Sequence, residues 1–168
     1  MPKSDQGVSA RRYYKIVPRT LIFIFDQSGR VLLLKGAKDK RLWAGLYNGI
    51  GGHIEPGEDI LEAAYRELRE ETGIEDVSLR CCGQIMVDVT PETGVGIFVL
   101  RGDVGDVLLS QSGEGELHWV SETGLTGIEM VEDLHFLLPL VRDFQAGDPW
   151  IVGKYAYNEE GQLSVSLH

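Results

Sequence analysis

Two strand-length runs of apolar residues near the N-terminus constrain the fold of this chain more than any other feature. Residues 18–25 read Pro-Arg-Thr-Leu-Ile-Phe-Ile-Phe and residues 30–35 read Arg-Val-Leu-Leu-Leu-Lys, with Asp26 to Gly29 between them. The aromatic and β-branched side chains and the intervening turn residues predict a β-hairpin. Both strands are nearly apolar on both faces, which is typical of a sheet covered on both sides. We therefore expect a layered fold of helices and a central sheet.

Further segments have the length and periodicity of strands or helices. Apolar and alternating runs predict strands over residues 47–50, 77–90, 95–103 and 116–120, and a terminal hairpin over residues 150–167. Apolar spacing predicts helices over residues 59–72 and 131–146. Gly73 supplies a stop signal for the first helix, and Pro139 is expected to kink or divide the second.

Length and composition describe a globular chain without a membrane segment. The chain has 168 residues, of which 43% are hydrophobic and 25% charged. No linker or repeat interrupts it, so we expect a single domain over residues 1–168, with a core at about 17–146 and a hairpin appendage at 150–168. The apolar run from Leu21 to Phe25 is far shorter than the roughly 20 residues of a membrane-spanning helix, and residues 1 to 16 contain no apolar signal segment.

The cysteines indicate the cellular compartment, and the charge pattern indicates which classes of partner the protein can bind. Cys81 and Cys82 are neighbours, a spacing at which a disulfide is strained, so they fit a reducing compartment and a cytoplasmic protein. The net charge of −10 argues against nonspecific nucleic-acid binding, which needs many Lys and Arg contacts to phosphates. Residues 1–50 carry 10 basic and 3 acidic residues, whereas residues 51–76 carry 9 acidic and 2 basic residues. A carboxylate cluster that faces a basic segment could hold a divalent metal against an anionic substrate.

Three glutamates on the first predicted helix are the candidate metal ligands. Glu67, Glu70 and Glu71 are spaced i, i+3 and i+4, which places their side chains on one helix face. Like charges at this spacing repel one another unless a cation neutralises them, and hard oxygen ligands suit Mg²⁺ or Mn²⁺. The preceding Gly51 and Gly52 let the backbone approach closely and leave a carbonyl as a further ligand. A solvated surface helix with ordinary acidic residues is the alternative explanation.

The helical periodicity also predicts which side of this helix is buried. At about 100° per residue, the buried stripe contains Leu61, Ala64 and Leu68, and the solvent side contains Glu62, Arg66 and Arg69. The three glutamates flank the buried stripe, which is not where a helix places charges that serve hydration alone.

The segment from Gly52 to Ile74 resembles the Nudix box. The pattern Gly-x5-Glu-x7-Arg-Glu-apolar-x-Glu-Glu-x-Gly-apolar is matched at every fixed position, by Gly52, Glu58, Arg66, Glu67, Leu68, Glu70, Glu71, Gly73 and Ile74. The resemblance implies an α+β fold of the Nudix type, an α/β/α sandwich with a mixed central sheet. It also implies hydrolysis of a nucleoside diphosphate linked to another group, with Mg²⁺ as the cofactor and Mn²⁺ as a substitute.

The resemblance assigns roles to the residues of the box. The implied metal ligands are the three glutamates and one backbone carbonyl, at Gly52, Glu67, Glu70 and Glu71. Glu58 and Arg66 are implied to orient the carboxylates, so that Arg66, Glu67 and Glu70 are the expected catalytic residues of the helix.

Attack of water on a phosphoric anhydride also needs a general base. Glu67 itself is one candidate, and Glu114 and Glu116 are candidates on a later loop, where many Nudix enzymes carry such a residue. Of the two loop residues we favour Glu116, with a solvated loop carboxylate as the alternative.

Two further segments resemble the MutT-like branch, whose members hydrolyse oxidised purine nucleoside triphosphates such as 8-oxo-dGTP. Residues 47–52 resemble its aromatic-Asn-Gly-apolar-Gly-Gly segment, which implies that the Asn48 amide binds the base. Residues 130–137 resemble the segment whose paired acidic residues bind the purine edge, here Glu132 and Asp133. A carboxyl pair that shares a proton presents a donor and an acceptor together. A turn cap at Asn48 and a helix-dipole role for Glu132 are the alternatives.

The basic loop after the first hairpin supplies the remaining candidates for substrate binding. Trp43 is a candidate stacking lid, with a place in the core as the alternative. Lys35, Lys38 and Arg41 are candidates for phosphate contacts. His53 stands where the MutT-like branch frequently has Lys.

These features together predict a Mg²⁺-dependent pyrophosphohydrolase that converts a purine nucleoside triphosphate to the monophosphate and pyrophosphate. Within the enzyme class, the alternative is hydrolysis of ADP-ribose, a dinucleoside polyphosphate or another nucleotide conjugate. Outside it, the alternative is a nucleotide-sensing module without turnover, which would be expected to have lost box carboxylates that this chain retains. We expect a small nucleotide as the partner, no nucleic-acid polymer and no membrane, and a monomer or homodimer.

Overall fold

The computed structural model describes residues 13–38, 43–110, 113–158 and 160–168, and these contain eight strands and three helices. In chain order the elements are β1 (Lys15–Phe25), β2 (Val31–Gly36), β3 (Tyr47–Asn48), α1 (Ile60–Thr72), β4 (Arg80–Thr90), β5 (Thr93–Asp103), β6 (Gly115–Val120), α2 (Glu122–Leu125), α3 (Leu134–Asp143), β7 (Ile151–Tyr157) and β8 (Leu163–Leu167).

One mixed sheet contains all eight strands of the described residues. The strand order is β3-β2-β1-β5-β4-β7-β8, and β6 also pairs with β2. β1 runs parallel to β5 over its whole length, from Lys15 opposite Thr93 to Phe25 opposite Asp103. β4 and β7 are also parallel, whereas the remaining strand pairs are antiparallel.

The predicted N-terminal hairpin is confirmed, but its two strands separate soon after the turn. β1 and β2 pair only at their adjoining ends, where Ile24 lies opposite Leu32 and Phe25 opposite Val31. Farther from the turn, β1 is bridged to Ile50 through Ile22, and β2 pairs with β3. The separation leaves a gap between β1 and β2, and the segment at residues 47–54 enters it.

Helices cover both faces of the sheet, as the apolar strands predict. On one face, Leu68 of α1 packs with Ile22 and Ile24 of β1. On the other face, Leu137 of α3 packs in a second core that contains Phe23. All five side chains are fully buried, and each contributes roughly 1.5–3 kcal/mol to the free energy of folding.

The second predicted helix is shorter than its apolar pattern suggests. α3 begins at Leu134 rather than at residue 131, ends at Asp143, and continues through Pro139 without a break. Pro139 lies on an exposed side of the helix, and its ring removes one backbone donor. The short helix α2 was not predicted; it begins where the Ser121 side chain accepts a hydrogen bond from the Gly124 N–H.

The terminal hairpin is confirmed as a hairpin, and it extends the main sheet. β7 and β8 pair antiparallel, and β7 also pairs with β4, from Gly83 opposite Ile151 to Val87 opposite Tyr155. Among the residues that the structure describes, no helix has the length and apolar character needed to cross a membrane.

Candidate active site

The segment at residues 47–54 joins the two separated strands and carries the glycine pair of the box. Asn48 pairs with Leu34 of β2. On the other side of the gap, the Thr20 N–H of β1 donates to the Gly52 carbonyl oxygen (2.9 Å). The segment therefore lies between β1 and β2 with its backbone hydrogen-bonded to both strands, and it leads directly into α1.

Local signals set the start and end of α1. The Asp59 side chain accepts hydrogen bonds from the Leu61 and Glu62 N–H groups, and the Glu62 side chain accepts one from the Asp59 N–H, which together form a capping box. Gly73 ends the helix with a φ of +76°, in the left-handed region that glycine adopts at low cost. Because the cap sets where the helix begins, it also sets which face carries the glutamates.

The buried side of α1 differs from the predicted stripe. Leu61 is 43% exposed, whereas Ala63 is fully buried. The Arg66 side chain was expected on the solvent side, but it is only 20% exposed. In the last turn, Glu71 is also buried and its carboxylate accepts a hydrogen bond from the Gly51 N–H (3.3 Å), so the buried side includes part of the face that carries the glutamates.

Arg66 connects the loop before α1 with the carboxylates on the helix. Its Nε and Nη2 donate to the two carboxylate oxygens of Glu58 (2.6 and 2.9 Å), and Nη2 also donates to the His53 carbonyl oxygen (3.0 Å). Its Nη1 donates to Glu67 (2.8 Å) and to Glu70 (3.4 Å). One guanidinium therefore holds three carboxylates and one backbone carbonyl in a single network.

This network favours the charged forms of Glu58 and Arg66. The Arg66 guanidinium, together with the Glu55 N–H, lowers the pKa of Glu58 to about 2. Hydrogen bonds to Glu58 and then to Glu67 raise the pKa of Arg66. The pair is therefore fully ionised at neutral pH and fixes the loop against the helix.

Gly52 is in close contact with Glu67. A β-carbon at position 52 would overlap both oxygens and the carboxyl carbon of the Glu67 side chain. The neighbouring Gly51 has a φ of +140°, and a β-carbon there would overlap the Thr20 carbonyl oxygen. The two glycines thus allow the backbone to pass between β1 and the helix carboxylates.

The donor set along this cleft fits a hard divalent cation. Glu67, Glu70 and Glu71 line one cleft together with Gly51 and Gly52. The set consists of carboxylate and carbonyl oxygens, which Mg²⁺ and Mn²⁺ prefer. Among the described residues no three acidic, histidine or cysteine side chains already form a compact ligand cluster. The Arg66 guanidinium contacts two of the three carboxylates.

The three glutamates differ in exposure. Glu71 is buried at 7% exposure, the Glu67 side chain is 15% exposed and the Glu70 side chain is 55% exposed. Carboxylates held away from water need compensating positive charge or hydrogen bonds. Arg66 supplies part of that charge, and a cation in the cleft would supply more.

The structure brings Glu114, and not Glu116, to this cleft. Glu114 lines it, and the Glu114 carbonyl oxygen accepts a hydrogen bond from the Ala37 N–H (3.2 Å). Glu116 lies within β6, and its side chain is 80% exposed and contacts His118 (3.4 Å). Leu117, between them in sequence, packs in the core on the α1 face. Strand alternation therefore directs Glu116 to the opposite face, which corrects our preference for it.

A second cavity adjoins the carboxylate cleft. It has an empty volume of about 480 Å³, against about 950 Å³ for the cleft. Four residues line both cavities: Arg19, Trp43, Gly51 and Gly52. The second cavity is also lined by the predicted base-binding residues Asn48 and Asp133, with apolar walls from Leu21 and Ile97.

Backbone hydrogen bonds hold Asp133 close to Asn48. The Tyr47 N–H donates to the Glu129 carbonyl oxygen (2.9 Å), and the Val131 N–H donates to the Tyr47 carbonyl oxygen (3.0 Å). Residues 129–131 therefore run alongside β3, and the next residues enter the second cavity. The Asn48 amide oxygen accepts a hydrogen bond from the Gly49 N–H (2.8 Å), which fixes the direction of that side chain.

The structure places the two acidic residues that were predicted to bind the base, Glu132 and Asp133, in different environments. Asp133 lines the second cavity, whereas Glu132 is exposed. Burial, and then the charge of Glu132, raises the pKa of Asp133. Asp133 begins α3 without capping it through its side chain, so the carboxyl group remains directed to the cavity rather than to the helix end.

Trp43 adopts a strained backbone conformation at the junction of the two cavities. Its φ of +58° lies in the left-handed region, which is uncommon for a residue that is not glycine. The residue is 45% exposed, which does not support the alternative of a place in the core.

The predicted lysines do not reach either cavity. Lys35 lies on the face opposite α1, where its Nζ is 5.5 Å from the centre of the Tyr47 ring, since the alternating Leu34 packs in the α1 core. Lys38 is exposed in the loop after β2 and lines neither cavity. Arg41 lies outside the described residues.

Sequence reasoning missed Arg19, Leu21 and Ile97 as cavity residues. Arg19 and Leu21 share one face of β1 by alternation, and Ile97 lies opposite Arg19 in the parallel pair with β5. A single charged residue at the edge of the apolar run was a signal for Arg19. Nothing local indicates Ile97, because only the β1–β5 register places it there.

Comparisons with known proteins identify a family and several relatives of this chain. The sequence profile of the NUDIX domain matches residues 15–123. The oxidized purine nucleoside triphosphate hydrolase of Danio rerio is 33% identical over 123 residues, which span 73% of this chain and 77% of that protein. The NAD-capped RNA hydrolase NudC of Chromobacterium violaceum is 28% identical over 118 residues, which span 70% of this chain and 43% of that protein.

A solved structure confirms the predicted α+β architecture. The crystal structure of a MutT protein from Bacillus halodurans matches this chain with a TM-score of 0.75 and 25% sequence identity, and the match covers 90% of this chain and 97% of that one.

Proposed function

The chain belongs to the NUDIX family, and from this premise we propose that it hydrolyses a purine nucleoside triphosphate, with an oxidised purine such as that of 8-oxo-dGTP as the preferred base. NUDIX hydrolases act on pyrophosphate bonds. The products are the nucleoside monophosphate and pyrophosphate. The relative from Danio rerio, an oxidized purine nucleoside triphosphate hydrolase, supports this substrate class.

The observation that carries the proposal is the junction between the two cavities. One cavity has the amide of Asn48, the carboxyl of Asp133 and apolar walls, which suit a flat base with polar edges. The other contains the carboxylates of α1. Because both cavities share the lining residues Gly51 and Gly52, a nucleotide can place its base in the first and its phosphates in the second.

We assign metal binding to the box residues. NUDIX hydrolases generally use divalent cations, and we propose Mg²⁺, held by Glu67, Glu70, Glu71 and the Gly52 carbonyl. When bound, such a cation neutralises phosphate oxygens and acidifies the attacking water. Glu58 acts on this group indirectly, since it orients Arg66, and Arg66 in turn orients the Glu67 carboxylate.

The remaining chemical requirement is a base that accepts the proton of the attacking water. Breaking the bond between the α- and β-phosphates consumes one water, whose oxygen joins one phosphate while its proton passes to the base. Glu114 lines the cleft and replaces Glu116 in this role. Glu67 is the second candidate, because it lies in the same cleft against the glycine segment.

Asp133 and Asn48 supply recognition of the base. The raised pKa of Asp133 favours a protonated carboxyl group, which can donate a hydrogen bond as well as accept one. An oxidised purine differs from a normal purine in the donors and acceptors at its edge, so this carboxyl provides a basis for selecting between them. Glu132 contributes through its charge, which favours the protonated form of its neighbour.

A substrate panel tests the proposed function. The purified protein with Mg²⁺ is incubated with 8-oxo-dGTP, dGTP, the pyrimidine triphosphates, ADP-ribose and a dinucleoside tetraphosphate, and the products are separated by chromatography. We expect the highest kcat/KM for the oxidised purine triphosphate and equal yields of monophosphate and pyrophosphate. Preferential cleavage of ADP-ribose or of the dinucleoside tetraphosphate would contradict the proposal.

A further inference from the structure

Arg19 lies where the two cavities meet. Its side chain lines both the base cavity and the carboxylate cleft. It extends from β1 at the position opposite Ile97 of β5, in the longest strand pairing of the sheet, so its backbone is firmly held. A ligand that occupies both cavities must pass this side chain.

The charges around the junction give Arg19 a particular importance. The carboxylate cleft is lined by five glutamates: Glu55, Glu67, Glu70, Glu71 and Glu114. Among the described residues that line either cavity, Arg19 is the one lysine or arginine. A phosphate chain carries several negative charges, and the cleft alone would repel it. Arg19 is the residue of the lining that attracts it.

A histidine, rather than a carboxylate, orients the Arg19 guanidinium. Its Nε and Nη2 both lie within hydrogen-bond distance of His53 Nε2 (3.1 and 2.9 Å). Since arginine only donates, His53 Nε2 is the acceptor. Arg19 forms no ion pair with any other described residue. Within the part of the chain that the structure describes, its charge is therefore not paired with a carboxylate, and its other N–H groups can donate to a ligand.

From this geometry we propose that Arg19 binds the phosphate chain of the substrate between the base cavity and the carboxylate cleft, and that His53 is the positioning residue that directs its guanidinium. The proposal rests on the proposed function in that it takes the ligand to be a nucleotide. A guanidinium can make two parallel hydrogen bonds to a phosphate group. Arg19 would thereby set the position of the phosphates relative to the glutamates of α1.

Equilibrium binding tests this role without turnover. The probes are α,β-methylene-dGTP with Mg²⁺, whose bridging carbon prevents cleavage at that position, and deoxyguanosine, which has no phosphate; both are titrated by calorimetry. We expect Arg19→Gln to raise the Kd of the triphosphate analogue about 10-fold or more, as for the loss of hydrogen bonds to a charged group. The Kd of deoxyguanosine should not change, because the base cavity keeps its polar groups.

Two sets of variants separate phosphate binding from a structural role. Arg80→Gln is the matched control, because Arg80 is an arginine on β4 that pairs with Asp103 and lines neither cavity; it should bind both probes as the wild type does. His53→Ala should weaken binding of the analogue less than Arg19→Gln does. His53→Gln should restore it, because the glutamine amide oxygen can accept from Arg19.

The outcomes separate this proposal from the proposed function. If Arg19→Gln binds the analogue as tightly as the wild type, or loses the analogue and deoxyguanosine equally, the role of Arg19 is overturned even when the wild type hydrolyses nucleotides. If the wild type hydrolyses no nucleoside triphosphate but binds the analogue in an Arg19-dependent manner, the proposed function fails and the role of Arg19 stands. A wild type that does not bind the analogue would overturn the role of Arg19, whereas the proposed function is decided by the substrate panel.

Discussion

Gly52 lies so close to the Glu67 side chain that a single added methyl group at position 52 would overlap the Glu67 carboxylate. The backbone that offers a carbonyl to the proposed metal site is thus in contact with one of its proposed side-chain ligands. The contact involves the far end of a flexible side chain, which can move at little cost to the fold. The residue at this position therefore controls the geometry of the site more than the stability of the protein.

We expect Gly52→Ala to lower kcat about 100-fold, which is the scale of a displacement of about 1 Å in an active site, while the thermal unfolding midpoint stays near that of the wild type. Steady-state kinetics with 8-oxo-dGTP and calorimetry measure the two quantities. Gly127→Ala is the control, since a β-carbon there meets only the Gly124 carbonyl oxygen at 3.6 Å. Full activity of Gly52→Ala would contradict the prediction.

Removing one charge from the proposed metal site should affect turnover more than folding. The Glu70 side chain is 55% exposed, and among the described residues its one ion pair is a long contact to Arg66 (3.4 Å), so Glu70→Gln leaves the packing intact. We expect kcat to fall by about 10²–10³-fold and Mn²⁺ affinity, measured by calorimetry, to weaken. Glu75→Gln, an exposed change outside both cavities, should alter neither. A fully active Glu70→Gln protein would count against the metal assignment.

Changing Glu114 to glutamine should lower kcat much more than changing Glu116 to glutamine. Glu114 lines the cleft and Glu116 is directed to the other face of the sheet. We expect Glu114→Gln to lower kcat by about 10²-fold, the lower range for loss of a general base. The kcat of Glu116→Gln should equal that of the wild type. The opposite ranking would restore Glu116 to the site.

Asp133 should control both base preference and a pH-dependent part of the stability. Because its pKa is raised in the folded state, the folded protein holds this proton more tightly than the unfolded chain, so stability falls as pH rises from the ordinary aspartate range through the raised pKa. Asp133→Asn should lack this fall, as measured by urea unfolding at several pH values.

Asp133→Asn should also change the ratio of kcat/KM for 8-oxo-dGTP and dGTP, whereas the exposed Glu132→Gln should change that ratio less. An unchanged ratio in Asp133→Asn would disprove the base-reading role.

The contact between Glu58 and Arg66 should stabilise the protein only where Glu58 is ionised. The pKa of Glu58 is lowered from 4.5 to about 2, so its contribution is complete above the ordinary value and is lost as pH falls through that interval. We expect the difference in unfolding free energy between the wild type and Glu58→Gln to shrink over the same interval. A difference that is constant down to pH about 2 would show that the charge of Glu58 is not what stabilises the contact.

Local sequence patterns predict most elements of this fold, because the relevant interactions are local. Asp59 and Gly73 mark the ends of α1 through contacts within a few residues, and the turn after β1 is marked by its own side chains, since Asp26 accepts hydrogen bonds from the Ser28 and Arg30 N–H groups. The parallel pairing of β1 with β5 joins residues about 80 positions apart. A local sequence pattern therefore cannot predict the register of this pairing.

The errors in the site have the same origin. Glu116 was preferred over Glu114 because the sequence does not reveal which face of β6 meets α1; Leu117 and Trp119 decide this by packing in the α1 core. Lys35 was expected at the phosphates, but the alternation of β2 places it on the Tyr47 ring. The box glutamates were found correctly on one side of a helix, since their spacing alone determines that they are neighbours.

The pairing of β7 with β4 has a consequence for the integrity of the whole molecule. β4 is an eleven-residue strand, and β7 occupies its outer side from Gly83 to Val87. A chain cut before Ile151 would present those backbone N–H and C=O groups to solvent, in the form that templates edge-to-edge aggregation. The terminal hairpin therefore covers this side of β4 and prevents its pairing with other chains.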